Sequence, residues 1–192
     1  HSMGLIAYNV PRLGRLVVRQ PDWADYDRLV RSWDKPDNVA DEGLIRALVQ
    51  TIDGVPLADG PLPFKPRQQQ AVGAIVFKLV SPDRDLGEAA IKTATGENEV
   101  TFLAPSGAEV VFTVPTVAAV REAQAKVADE VAELNLMRKS LKSVNGVPWS
   151  PLVPWPLDLA DSHAYRAVFH DTLNVTADEM ETIIASGVPV EG

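Results

Sequence analysis

The chain contains one short passage twice: Thr51-Ile52-Asp53-Gly54-Val55-Pro56-Leu57 and, about 92 residues on, Ser143-Val144-Asn145-Gly146-Val147-Pro148-Trp149. An apolar run of helical character, Leu44 to Gln50 and then Leu136 to Lys142, leads into each. A repeat at this period makes each half of the 192-residue chain one supersecondary unit whose order of elements the other half must share. Asp53-Gly54 and Asn145-Gly146 tolerate positive φ, and the proline that follows cannot continue a helix. The two passages are therefore predicted to be the same helix stop written twice.

The similarity extends in both directions. Upstream, Leu16-Val17-Val18-Arg19-Gln20-Pro21 matches Val110-Val111-Phe112-Thr113-Val114-Pro115, each an apolar, β-branched run ending in proline. Tyr8 to Gly14 and Phe102 to Gly107 precede them as strand and turn, so each copy begins with a β-hairpin. Downstream, Val72, Ile75, Val76 and Leu79 have helical spacing and answer to Ala164, Ala167, Val168 and Phe169. Each copy then ends in a short helix. Thr176 and Glu179 make a capping box with Gly187 as stop, while Ser81-Pro82 opens and Gly96 closes the counterpart. The expected fold is α+β, mainly helical, in two tandem hairpin-plus-helices modules over 4–96 and 97–192. His1-Ser2-Met3 reads as a cloning remnant.

The copies differ between hairpin and repeated passage. Lys35-Pro36-Asp37-Asn38 must interrupt the helix after Trp33, because proline lacks the amide hydrogen and restricts its predecessor. In the second copy Val117, Val120, Val127, Val131, Leu134 and Leu141 continue a stripe without a breaker, which predicts one long amphipathic helix. Two proline-dense segments, 55–66 and 147–156, are unsuited to helix or central strand and too apolar for free linkers. Phe64, Trp149 and Trp155 either cap their own module or project as anchors for a partner. Trp23, Tyr26 and Trp33 form a further aromatic face, with Leu29 and Val30 beside it, readable as core or as a partner contact.

Charge and composition narrow the function. The net charge is −8, and its surplus of acid lies in the second half; up to Ala94 the basic and acidic residues balance. A phosphate backbone is repelled by such a surface, and no basic stripe with interleaved aromatics is present, so nucleic acid is not an expected partner. The absence of cysteine excludes disulfides and thiolate metal sites and allows a cytoplasmic setting. No apolar run is long enough for a membrane helix and no leader pattern is visible, so no membrane association is expected.

Catalytic signatures are sparse. The chain lacks a Gly-x-Ser-x-Gly elbow, a Walker A sequence and Gly-x-Gly-x-x-Gly, and Pro105-Ser106-Gly107 fits a hairpin turn. His163 and His170 lie near Asp161 and Asp171. Seven residues of straight helix separate the two rings by about 10 Å, too far for one ion. Asp161 reads as an N-cap and the histidines as a polar face. Asp178 and Glu179 suit the first turn of a helix, where the dipole favours acid. No catalytic residue, metal or cofactor is assigned.

Against this background, Phe102-Leu103-Ala104-Pro105-Ser106-Gly107-Ala108-Glu109-Val110-Val111-Phe112-Thr113-Val114-Pro115-Thr116 resembles the hairpin with its "LPSG" turn and "PT" helix entry of the tail assembly chaperones and baseplate-assembly proteins of long-tailed bacteriophages. Ser143-Val144-Asn145-Gly146, and Arg19-Gln20-Pro21 with Trp23 and Tyr26, are similar to parts of the same family. The resemblance implies a non-enzymatic helper in the host cytoplasm or the virion tail that holds a tape-measure protein or baseplate subunit. Such proteins usually carry one copy, and two fused copies would favour a baseplate or adaptor component. Candidate partner-binding residues are Trp23, Tyr26, Trp33, Phe64, Trp149 and Trp155. Two other readings compete: a metal-assisted hydrolase using Asp161, His163, His170 and Asp171 across a bent helix, and a regulatory adaptor that dimerises through the long acidic helix from Val117 to Leu141.

Overall fold

The computed structural model describes residues 4–35 and 37–190, the side chains of 37–39 excepted. The first copy runs β1 (Leu5–Val10), β2 (Gly14–Arg19), α1 (Trp23–Arg31), α2 (Asp37–Leu48), β3 (Val49–Ile52), β4 (Val55–Pro56), α3 (Pro66–Val80) and α4 (Arg84–Thr93). The second repeats it as β5 (Glu99–Leu103), β6 (Glu109–Thr113), α5 (Val117–Gln124), α6 (Asp129–Ser140), β7 (Leu141–Val144), β8 (Val147–Pro148), α7 (Leu159–Leu173) and α8 (Ala177–Ala185). The protein is thus α+β, mainly helical, and built of two tandem modules. Each has a four-stranded antiparallel sheet in the order β1-β2-β3-β4 or β5-β6-β7-β8.

The repeated passage is a hairpin turn, which corrects its reading as a helix stop. Helices α2 and α6 end earlier, at Leu48 and Ser140, and the chain passes directly into β3 and β7. Asp53-Gly54 and Asn145-Gly146 join these to β4 and β8, with φ of 48° and 78° in the first turn and 51° and 76° in the second. Two successive positive φ values match the strand twist of a two-residue hairpin, and Asp-Gly and Asn-Gly are the pairs that accept them. The acceptor at the first position then fastens the turn to the neighbouring strand. The Arg15 amide donates to Asp53 Oδ1 at 2.7 Å, and the Glu109 amide donates to Asn145 Oδ1 at 2.9 Å. Prolines 56 and 148 lie on edge strands, where a missing amide hydrogen costs no ladder bond.

Both sheets carry the same irregularity. Val17 and Val18 face Thr51 and Val49, skipping Gln50, and Val111 and Phe112 face Ser143 and Leu141, skipping Lys142. This bulge lets the last turn of the preceding helix run into a strand. Period-two alternation buries Leu16 and Val18 in β2 and Val110 and Phe112 in β6. These residues, with Leu48, Val72, Val76, Met137, Tyr165 and Phe169, belong to one continuous core that spans both copies.

The expected long helix is two helices. α5 ends at Gln124 and α6 begins at Asp129, with Ala128 at its N-cap position and no side-chain cap bond there. The corresponding break in the first copy lies between Arg31 and Asp37, around Pro36, which is outside the described residues. The turn in the second copy folds α6 back so that Ala132, Leu134, Leu136 and Met137 are buried. Tertiary burial thus overrides an uninterrupted apolar stripe, and the long-helix adaptor reading loses its structural basis. Among the described residues no helix is long and apolar enough to cross a membrane.

Candidate functional site

The two copies meet along a seam formed by α1 and α4 of the first and α6 and α7 of the second. Asp22 caps α1 in a reciprocal capping box with Asp25, which sets the helix so that Trp23 and Tyr26 share its inward face. Asp158, and not the expected Asp161, caps α7. Asp161 is buried one turn later, where the Ser106 amide donates to it at 3.0 Å and the Ser106 hydroxyl donates to its other oxygen. The β5–β6 turn is thereby locked to the start of α7.

From that start, His163, Arg166, Ala167 and His170 fall at i, i+3, i+4 and i+7 on one stripe of α7. Helix α4 lies over the stripe. A Cβ on Gly87 would come within 3.1 Å of the Ala167 Cβ, a tight contact that the two helices could take only by moving apart slightly. Between α4, α7, α1 and α6 opens a groove of about 650 Å³. Tyr26, Gly87, Ile91 and Ala167 give it apolar lining. Asp83, Glu88, Asp129, Glu130 and Glu133 contribute five carboxylates against the guanidinium groups of Arg84 and Arg166.

Part of this charge is internally satisfied. Arg166 donates to Glu133 at 3.0 Å and to the Tyr26 hydroxyl at 2.7 Å, and His170 Nδ1 lies 2.9 Å from the other Glu133 oxygen. Arg84 pairs with Glu88 at 3.1 Å, exposed to solvent. His163 is buried, with Nε2 at 2.6 Å from the Val80 carbonyl. A carbonyl only accepts, so Nε2 carries a proton. Burial pushes the His163 pKa down, the Val80 bond opposes this, and the nearby Arg166 cation adds to the lowering.

The aromatic candidates are mostly inside the seam. Trp23 stacks on Tyr26 at 5.2 Å and on Trp155 at 6.5 Å, and both Trp23 and Tyr26 meet the His163 ring edge-on, at 5.3 and 4.5 Å. Trp155 meets Trp149 edge-on and lies parallel to Tyr165. Trp155 donates to Ser162 Oγ at 2.8 Å, Trp149 to the Pro154 carbonyl at 3.1 Å, and the Arg138 guanidinium sits over the Trp149 ring. Trp23, Tyr26 and Trp149 are buried, Trp155 and Phe64 half-buried against the core, and Trp33 is 45% exposed beyond the end of α1. The first five knit the molecule together instead of projecting from it. Trp23 and Trp155 also line a second cleft of about 540 Å³, between α1 and α6, into which Arg28, Arg31 and Arg138 project.

The four residues of the hydrolase reading are engaged separately: Asp161 by Ser106, His163 by Val80, His170 by Glu133, with Asp171 exposed. Among the described residues no group of three or more His, Cys, Asp or Glu side chains is placed to hold a metal ion. Arg166 and Glu133, the central pair of the groove, were not singled out in the sequence. Their one visible signal was the His163, Arg166, His170 spacing, which puts three polar side chains on one face of an otherwise buried helix. No family model, curated protein or solved structure matches the chain.

Proposed function

We propose that the protein is a non-enzymatic assembly factor that holds a segment of a partner protein in the acid-rimmed groove at the seam of its two modules. The tail or baseplate components of a long-tailed bacteriophage are the partners suggested by the sequence resemblance. The observation that carries the reading is the groove itself. It has apolar surface for a partner's side chains, and its carboxylates outnumber its guanidinium groups, with Asp129 and Glu130 exposed at the start of α6. Such a lining selects a segment with apolar residues flanked by lysine or arginine, and long-range attraction speeds its capture. The seam joins two modules through one continuous core, so the groove is held open by packing and is ready before a partner arrives.

The test is affinity capture of the tagged protein from the cells that produce it, followed by titration of the captured component with purified protein. A tape-measure, tube or baseplate protein should be recovered in defined ratio. The double reversal Asp129→Lys with Glu130→Lys should weaken its binding at least tenfold and flatten its salt dependence. Binding unchanged by the reversal would remove the groove from the reading, and recovery of no tail protein would remove the assembly role.

A further inference from the structure

We infer that the chain associates head to tail with further copies of itself, helix α8 of one molecule docking on helix α3 of the next. The repeat supplies the template. In the first copy α4 follows α3 and crosses the seam to lie on α7 of the second copy, with Gly87 and Ala90 buried and Ile91 packed against the core. Helix α8 is the second copy's equivalent of α4. Their N-caps, Asp83 and Thr176, coincide in the repeat, and Asp85 and Glu88 correspond to Asp178 and Glu181. Gly87, Ala90 and Ile91 then correspond to Met180, Ile183 and Ile184.

Those three side chains face water. Met180 is 45%, Ile183 56% and Ile184 71% exposed, and α8 buries no residue at all. Apolar side chains at the positions its twin uses for docking make α8 the docking helix of an unfilled contact.

The matching receptor face is also open. Helix α3 is the equivalent of α7, with N-caps at Lys65 and Asp158, so the stripe His163, Arg166, Ala167 and His170 that α4 covers corresponds to Gln70, Gly73, Ala74 and Phe77. Phe77 is 50% exposed, Gln70 and Ala74 are exposed, and a Cβ on Gly73 would meet nothing within 4 Å. Size is exchanged at the centre of the two contacts: Gly87 and Ala90 of the donor give way to Met180 and Ile183, while Arg166 of the receptor gives way to Gly73. Charge agrees. Helix α8 carries Asp178, Glu179 and Glu181 and no basic residue, while α3 with its cap carries Lys65, Arg67 and Lys78 and no acid.

A second pair of elements follows the same rule. Trp23 and Tyr26 of α1 reach across the seam to Trp155 and His163, whereas of their equivalents in α5 Val120 packs against the core and Val117 is 67% exposed. Each chain thus offers one unused donor face and one unused receptor face, on different modules. Two different, complementary faces generate a heterologous contact, which closes into a ring or continues as a filament.

Sedimentation velocity of the full chain over a range of concentrations tests this, with Ile184→Glu on the donor face and Phe77→Glu on the receptor face. Both positions are exposed in the single chain, so circular dichroism melts of the variants should match the unsubstituted protein at concentrations low enough for it to be monomeric. The unsubstituted chain is expected to form oligomers, each variant alone to be monomeric, and an equimolar mixture of the two to form a 1:1 dimer and nothing larger, because only one intact contact can form. A chain that stays monomeric throughout, or a mixture that fails to pair, would overturn the proposal. So would an oligomer that survives Phe77→Glu while Ile184→Glu abolishes it, since α8 would then be pairing with itself.

Discussion

His163 and Asp25 are buried titratable side chains held in opposite charge states. His163 stays neutral because burial and the Arg166 cation disfavour its proton, against the pull of the Val80 carbonyl. Burial raises the Asp25 pKa, but the Arg19 guanidinium, bonded at 2.7 and 2.8 Å, and the Asp22 amide more than reverse it, leaving the carboxyl below its ordinary value. Both shifts destabilise the fold in acid, in separate windows. An unfolded histidine takes up a proton below about pH 6.5 while the folded His163 still resists it, so stability should be complete above that pH and decline beneath it; Asp25 adds a second decline below about pH 3.9. Thermal melts across pH should show both limbs, and His163→Gln should remove the first alone. Neither shift was visible in the sequence: the His163 shift comes chiefly from burial, and the Asp25 shift from Arg19 and Asp22, which lie near in the chain but whose bonds to the carboxylate depend on how β2 meets α1.

Among the elements, the strands and turns follow local chemistry closely. The paired Asp-Gly and Asn-Gly steps fit hairpin turns better than helix stops, a choice that depended on whether the residues before them paired with a strand 30 or so positions earlier, and pairing is not a local property. The break between α5 and α6 has no such chemistry. Ala128 stands at the N-cap with extended φ and ψ of −61° and 154° and no side-chain oxygen to accept an amide of the first turn. Ala128→Ser is therefore expected to stabilise the protein by about 1 kcal/mol, seen as a higher urea midpoint at unchanged slope. No gain would mean that α6 begins differently in solution. The break itself was illegible because the apolar stripe runs through it, and only the burial of Leu134 and Met137 against the other helices selects the folded-back form.

At the scale of the molecule the modules are repeated in sequence but not independent in packing. The seam depends on the close approach of Gly87 to Ala167. Gly87→Leu should cost about 1–3 kcal/mol through overpacking, within one cooperative unfolding transition. Met180→Leu at the equivalent exposed position of α8 should change the monomer's stability by less than about 0.5 kcal/mol. Two separated transitions for the unsubstituted chain would show that the halves fold alone. The repeat, the first hairpin of each copy, the Thr176–Glu179 capping box and the acidic bias were readable from the residues, since each rests on neighbours a few positions apart or on a pattern spelled twice; the second hairpins, the break between α5 and α6 and the Asp158 cap were not. The groove, the neutral His163, the Arg166–Glu133 pair and the contrast between covered α4 and bare α8 were not. They exist because one copy's helices pack on the other's, so modules that share one order of elements meet different surroundings: α4 of the first lies against the second, while α8 of the second is exposed.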